Sequence, residues 1–185
     1  MTPKQMIRRQ VLYKRSQMTE KERERGDILI TERLLGHQWF YRAQKVLTFV
    51  SYGDEIDTTA LIEEALRMGK EVYVPKVEGE VIRFYRISSL NELEDGYKGI
   101  KEPSGNEPLY EYDPEECDKT VLIMPGVAFD QLKHRIGYGK GFYDRFLQDK
   151  EALRLKSVAI GYSCQLVDKI ESSEYDINPY QVILV

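Results

Sequence analysis

The chain has 185 residues, 42% hydrophobic and 31% charged, with a formal net charge of −4; this is the length of one ordinary globular domain, and the acidic balance argues against a general nucleic-acid binder, whose face runs basic. No segment reaches the apolar length of a membrane span, and MTPKQMIRRQ at the N-terminus lacks a signal peptide's apolar run. The two cysteines, Cys117 and Cys164, show neither metal spacing nor a framework of bridges, so free thiols in a reducing cytoplasm are expected.

Thr2-Pro3-Lys4-Gln5 predicts a helix start: Thr2 caps, Pro3 takes the first helical position and Gln5 closes a capping box. Thr19-Glu20-Lys21-Glu22 repeats the device for a second helix that Gly36 ends. The apolar run at 45–51 reads as a buried strand and 71–76 as the next one. Between them, 59–68 is helical, with Leu61, Ile62, Ala65 and Leu66 on one side and Gly69 as the stop. Strand, helix and strand with short connections make a βαβ unit, which implies parallel pairing and a right-handed crossover. Residues 81–87 alternate like a half-buried strand. Residues 91–118, rich in Pro, Gly and acids, read as a long loop acting as a lid or binding segment. Two more buried strands, 120–126 and 156–164, are separated by a glycine run and a helix that begins near Phe142, and 180–185 closes the chain as a strand. The expected fold is a single α/β domain over residues 1–185: a mostly parallel central sheet with helices on both faces, in three layers.

The stretch Met124 to Phe146, MPGVAFDQLKHRIGYGKGFYDRF, carries the chemistry. It holds glycines at alternate positions (137, 139, 141), the cations Lys133, Arg135 and Lys140, and then Asp144-Arg145. Glycines let backbone N–H groups approach a ligand closely. Such a run forms an anion-cradling nest whose cations neutralise phosphate charge. Asp144 supplies a hard oxygen of the kind Mg²⁺ takes beside substrate phosphates. The same alternation also marks tight turns and bulges. It matches neither the Walker loop nor the Rossmann turn. Its position after the carboxyl end of a buried strand is where open α/β sheets bind ligands, which favours a nucleotide polyphosphate site.

With P-G-V-A-F-D followed by R-I-G-Y-G-K-G-F-Y-D-R, the chain resembles the 5-formyltetrahydrofolate cyclo-ligase family. Lys4 and Arg8, FVSYGDEIDT at 49–58, Val74-Pro75-Lys76 and IKEP at 100–103 extend the resemblance over nearly the whole chain. The resemblance implies ATP as co-substrate, Mg²⁺ as cofactor, and conversion of 5-formyltetrahydrofolate to 5,10-methenyltetrahydrofolate with release of ADP and phosphate. It implies small-molecule partners only, with no nucleic acid and no membrane. A monomer is expected, and a dimer stays open.

Carried over position by position, Lys4 and Arg8 reach the ATP phosphates; a solvated basic face shared with Arg9, Lys14 and Arg15 is the plainer reading. Arg135, Ile136, Gly137, Tyr138, Gly139, Lys140, Gly141, Phe142 and Tyr143 form the ATP segment, and 138–142 also touch folate. Arg135 and Lys140 are the catalytic pair, stabilising charge on the transferring phosphoryl group. Phe142 and Tyr143 either stack on a flat ring or belong to the core. Asp144 is the magnesium ligand, with a surface pair to Arg145 as the other reading. Tyr52, Glu55 and Asp57 contact folate, although Asp57 equally suits a helix cap, and the family often carries Glu there. Asp176 is the second candidate metal ligand. Tyr175 and Tyr180 stand where family members commonly show a His and an Asp, which weakens a second metal contact. Neither His37 nor His134 reads as a base. Lys76 and Lys101 are candidate cations at the pocket mouth for a glutamate tail. Two rival readings remain: an ATP-dependent enzyme for another amide or carboxylate, and a non-catalytic nucleotide or folate binder.

Overall fold

A computed structural model describes residues 1–185. Helix α1 (Pro3–Ser16) starts as its capping box dictates, the Thr2 hydroxyl accepting from the Gln5 amide and the Gln5 side chain accepting from the Thr2 amide. Thr19 and Glu22 do the same for α2 (Glu20–Leu35), and Gly36 ends it. A short helix α3 (Gln38–Arg42), absent from the sequence reading, is capped by His37, whose Nδ1 accepts from the Trp39 amide at 3.2 Å.

Strand β1 (Lys45–Leu47) is shorter than the predicted run. Past Leu47 the chain leaves the sheet to form the loop before α4 (Thr59–Arg67). Strand β2 (Glu71–Glu78) is longer than predicted because it turns at Gly79, φ +63°, into an antiparallel hairpin with β3 (Val81–Ile87). The expected long loop contains structure of its own. Strands β4 (Glu94–Asp95) and β5 (Lys101–Glu102) form a small hairpin about a 3-10 turn at Tyr97–Gly99. Then follow β6 (Thr120–Met124) and a two-residue ladder of β7 (Ala128–Phe129) with β8 (Arg135–Ile136). Helices α5 (Phe142–Leu147) and α6 (Glu151–Arg154), then β9 (Ser157–Gly161) and β10 (Gln181–Leu184), complete the chain.

The main sheet has six strands in the order β10-β9-β6-β1-β2-β3. All neighbours are parallel except β2 with β3. Every residue of β6 and β9 is buried, as expected of parallel strands covered on both faces. Alternation divides the core in two. Val46, Val121, Ile123, Val158 and Ile160 meet Ile30, Leu34, Leu61 and Ile62 from α2 and α4. Leu47, Leu122, Met124 and Ala159 meet Leu147 and Leu153 from α5 and α6. Each fully buried Leu or Ile contributes about 1.5–3 kcal/mol, so both layers are anchored independently. Helix α1 stands apart from these layers and packs Val11 on Val127, Ala128 and Ile136. That placement brings its N-terminal half to the carboxyl ends of the strands.

Candidate active site

A cavity of about 770 Å³ opens where β1 and β6 end, the crevice at which open α/β sheets take their ligands. The loop after β1 supplies Phe49, Tyr52 and Glu55, α1 supplies Lys4 and Arg8, and the segment from Arg135 to Arg145 forms one long wall. Tyr97, Lys98, Ile100 and Glu102 of the β4–β5 hairpin, Pro75, Val77 and Ile82 of the β2–β3 hairpin, and residues 174–177 line the other side.

The glycines of the long wall are required by its geometry. Gly139 (φ +92°) and Gly141 (φ +65°) lie in the left-handed region that L side chains rarely adopt, and a Cβ on Gly137 would stand 2.9 Å from the Arg135 guanidinium. The Arg8 Nε donates to the Gly137 carbonyl at 2.8 Å, so α1 and the glycine segment are tied directly. Lys4 and Arg8 are half-buried while Arg9 is exposed. They therefore face the cavity instead of forming the solvated stripe that composition alone permits. Lys140 is exposed, lines the cavity and makes no ion pair, leaving its ammonium available to an anion.

Arg135 has a side chain only 5% exposed. Its Nη2 donates to Asp144 Oδ1 at 3.1 Å, and its Nε has no partner. Asp144 does not pair with Arg145, which instead donates to the carbonyls of Glu80 and Lys140. Asp144 Oδ1 also accepts from the Ile177 amide at 3.1 Å, while Oδ2 accepts nothing. Asp176 Oδ2 is engaged by Lys4 and by the amide and hydroxyl of Ser173. Burial works against this carboxyl, but the Lys4 and Ser173 donors outweigh it and hold it below the usual carboxylate range.

At the other end of the cavity rings are many. Tyr52, Tyr97, Tyr138 and Phe142 line it, with Tyr97 and Phe142 edge to face at 6.2 Å. Phe142 also packs against the core, and Tyr143 does so with its hydroxyl buried and unpartnered. Glu55 Oε2 accepts from the Tyr52 amide at 2.9 Å. Burial pushes the Glu55 carboxyl up, and the Tyr138 hydroxyl, the Tyr52 amide and Arg15 pull it part of the way back.

Asp57, expected as a folate contact, stands apart from the other two residues of that expectation, Tyr52 and Glu55. Asp57 lies outside the cavity lining, and its Oδ1 accepts from the Thr59 amide at 2.7 Å and the Ser51 hydroxyl at 3.1 Å. It holds the first amide of α4 from the residue before the Thr58 N-cap, close to the helix-cap role its sequence context allowed. Neither predicted tail cation lines the cavity: Lys76 Nζ donates to the Pro103 and Ser104 carbonyls, both at 2.8 Å, and Lys101 pairs with Asp95 at 2.9 Å. Lys98 lines the mouth instead and makes no ion pair. Sequence reasoning missed Tyr97, Lys98 and Glu102, because only the folded hairpin brings 97–102 to the cavity. Arg15 was read as part of a solvated face, yet it is buried against Tyr138.

No group of three or more His, Cys, Asp or Glu is placed to enclose a metal ion, so the site does not fit a resident metal centre. It does fit magnesium arriving on a polyphosphate, which needs only one or two carboxylates with phosphate and water completing the shell. Asp144, with Oδ2 open, is the better donor. Asp176, held by Lys4 and Ser173, is the weaker.

Comparison with known proteins gives a consistent result. A model described as the 5-formyltetrahydrofolate cyclo-ligase family matches residues 1–185. The 5-formyltetrahydrofolate cyclo-ligase of Escherichia coli (strain K12) is 34% identical over 172 residues, covering 89% of this chain and 90% of the relative. The solved structure of Aquifex aeolicus 5,10-methenyltetrahydrofolate synthetase superposes with a TM-score of 0.81 at 35% identity, over 96% of this chain and 87% of that one. A synthetase of the same name from Mycoplasma pneumoniae, 22% identical, shares the fold with a TM-score of 0.75 over 98% of both chains.

Proposed function

The chain belongs to the 5-formyltetrahydrofolate cyclo-ligase family of enzymes, and on that premise we propose that it uses ATP and Mg²⁺ to convert 5-formyltetrahydrofolate into 5,10-methenyltetrahydrofolate, ADP and phosphate. The N5-formyl group is an amide, so its carbon is a weak electrophile and its oxygen a poor leaving group. Transfer of the γ-phosphoryl group forms an O–P bond on that oxygen and frees ADP, which answers both problems. N10 then adds to the activated carbon and gives up its proton. The C–O bond breaks, and phosphate departs as the conjugated bridge closes.

The protein's share is positioning and charge stabilisation. Lys4 and Arg8 would hold polyphosphate oxygens from α1, with the 137–141 backbone beside them. Arg135, fixed by Asp144, and the mobile Lys140 would offset charge on the transferring group. Magnesium, when bound, supplies charge neutralisation between phosphate oxygens, and Asp144 would hold it, with Asp176 as the second candidate. At the other end, Glu55 would accept N–H groups of the pterin, while Tyr52, Tyr138 and Phe142 cover its faces. We propose a monomer acting in the cytoplasm; no helix is long and apolar enough to cross a membrane.

One observation carries the reading: a single cavity joins the cations Lys4, Arg8, Arg135 and Lys140 to an aromatic end that holds Glu55. Purified protein with MgATP and 5-formyltetrahydrofolate is expected to produce the near-ultraviolet absorbance of the methenyl bridge, dependent on both ATP and Mg²⁺. A flat trace from folded protein that binds ATP overturns the folate assignment in favour of another amide or carboxylate substrate.

A further inference from the structure

Arg15 presents a problem that the proposed reaction leaves unsolved. It is 4% exposed, yet no carboxylate lies within ion-pairing distance of its guanidinium. Its single side-chain hydrogen bond runs from Nη2 to the Tyr138 hydroxyl at 2.9 Å, the guanidinium sits 5.9 Å from the Tyr138 ring centroid, and Nε has no partner. A buried cation without a counter-charge is expensive, and such an arrangement calls for a role.

We propose that Arg15 is a positioning residue for the folate end of the cavity: by donating to the Tyr138 hydroxyl it turns that O–H toward Glu55 and keeps the Glu55 carboxylate as a hydrogen-bond acceptor for the pterin. The inference rests on the folate reading of the same site. Arginine has donors only, so the Tyr138 oxygen must accept, and its own proton is left to be donated. Glu55 lines the same cavity as Tyr138, and the Tyr138 hydroxyl bears on its carboxyl as a hydrogen-bond donor. The groups that face Glu55 are the Tyr52 amide from its own loop, Tyr138 from the glycine segment, Tyr143 from α5 and Arg15 from α1. Arg15 is the one cation among them. The Tyr143 hydroxyl, pushed up by burial and then by the Glu55 charge, stays neutral. Without Arg15, burial of Glu55 is opposed only by neutral donors, and the carboxyl takes up a proton at higher pH.

The rival role is structural, since Arg15 stands in the last turn of α1 where a cation favours the helix dipole. That role moves stability without moving a binding profile. The test is calorimetric binding of 5-formyltetrahydrofolate, without ATP, to wild type, Arg15→Met and Arg15→Lys between about pH 6 and 8.5, with ATP binding measured in parallel. Arg15→Met is expected to weaken folate binding severalfold on the acid side of the profile and to move the acid limb to higher pH. ATP binding should stay within about twofold, and Arg15→Lys should recover most of the loss. An unmoved acid limb, or equal losses for ATP and folate, overturns the proposal. Should Arg15→Met fail to fold, Tyr138→Phe cuts the same link and must shift the limb in the same direction. Wild-type turnover separates the two claims: its absence sinks the folate reading, whereas its presence beside an unmoved limb sinks only the role of Arg15.

Discussion

At one end of the cavity, Arg8 and Lys140 make no ion pair and Arg135 shares one carboxylate; at the other, Glu55 sits among tyrosines with its carboxyl pushed up by burial. The first end holds surplus positive charge in reserve for a polyanion, and its fixed dipoles and cations need little rearrangement when one arrives. The second end desolvates the Glu55 carboxyl and tempers that with a hydroxyl, an amide and the Arg15 cation. Free cations cost little at a wet surface, but a buried carboxylate lowers the stability of the empty protein. The two ends therefore respond differently to mutation and to pH.

The largest expected effect falls at the cationic end. Asp144→Asn keeps the shape and an oxygen for Arg135 but removes the charge, and turnover should fall by about 10²–10³-fold. Folate binding without ATP should stay within about twofold, and an equal loss there would break the division between the ends. Lys140→Met removes an exposed cation that supports no contact of its own. It should lower kcat by about 10²-fold while leaving the melting temperature unchanged to within about 1 °C. Loss of stability on that substitution would mean that the ammonium is not held in reserve.

Glu55→Gln tests the other end with opposite signs for function and stability. Folate affinity should drop by about 10–100-fold, the value of charge-assisted hydrogen bonds in a desolvated site. A carboxyl whose folded pKa is raised contributes its stability below the unfolded value, and that stability is lost as pH rises through the folded value. Wild type at neutral pH carries this cost and Glu55→Gln does not, so the variant should melt higher at neutral pH and about equally near pH 4. Asp176 behaves in reverse. Its carboxyl is held low by Lys4 and Ser173 despite burial, so its stability is present above the unfolded value and lost as pH falls. Asp176→Asn should flatten the acid side of the stability profile.

The same contrast explains what the sequence makes legible. The cationic end is written locally: Lys4 and Arg8 are one turn apart on a helix that its own capping box announces, and the glycines fall within one short segment. The aromatic end depends on choices that distant packing makes. Glu55 and Asp57 are equally acidic and two residues apart, yet one reaches back to the Tyr52 amide inside the cavity while the other holds the first amide of α4. Arg15 stands among Arg9 and Lys14 with no local sign that it alone is buried. The core strands were readable as apolar runs, but their limits were not. β1 ends at Leu47 because the chain leaves the sheet for the site loop, and β2 extends to Glu78 because of its hairpin partner, neither because of composition.

The smallest effect sharpens the comparison at the mouth between the two ends. Lys98 is exposed, lies in the left-handed region at φ +56°, and stacks its ammonium 5.5 Å from the Tyr97 ring centroid, with no acid in reach. Lys76 and Lys101, the cations that sequence position favoured, are already engaged by carbonyls and by Asp95. A glutamate tail leaving the aromatic end would therefore meet Lys98 first. Lys98→Gly removes this cation and relieves the backbone, so it should stabilise the protein by up to about 1 kcal/mol. It should also raise KM for a polyglutamylated substrate about two- to threefold at low salt, an effect that screening erases at high salt. KM for the monoglutamate should not move. An equal rise for both substrates would place Lys98 against the pterin itself and extend the charged machinery of the site into its aromatic end.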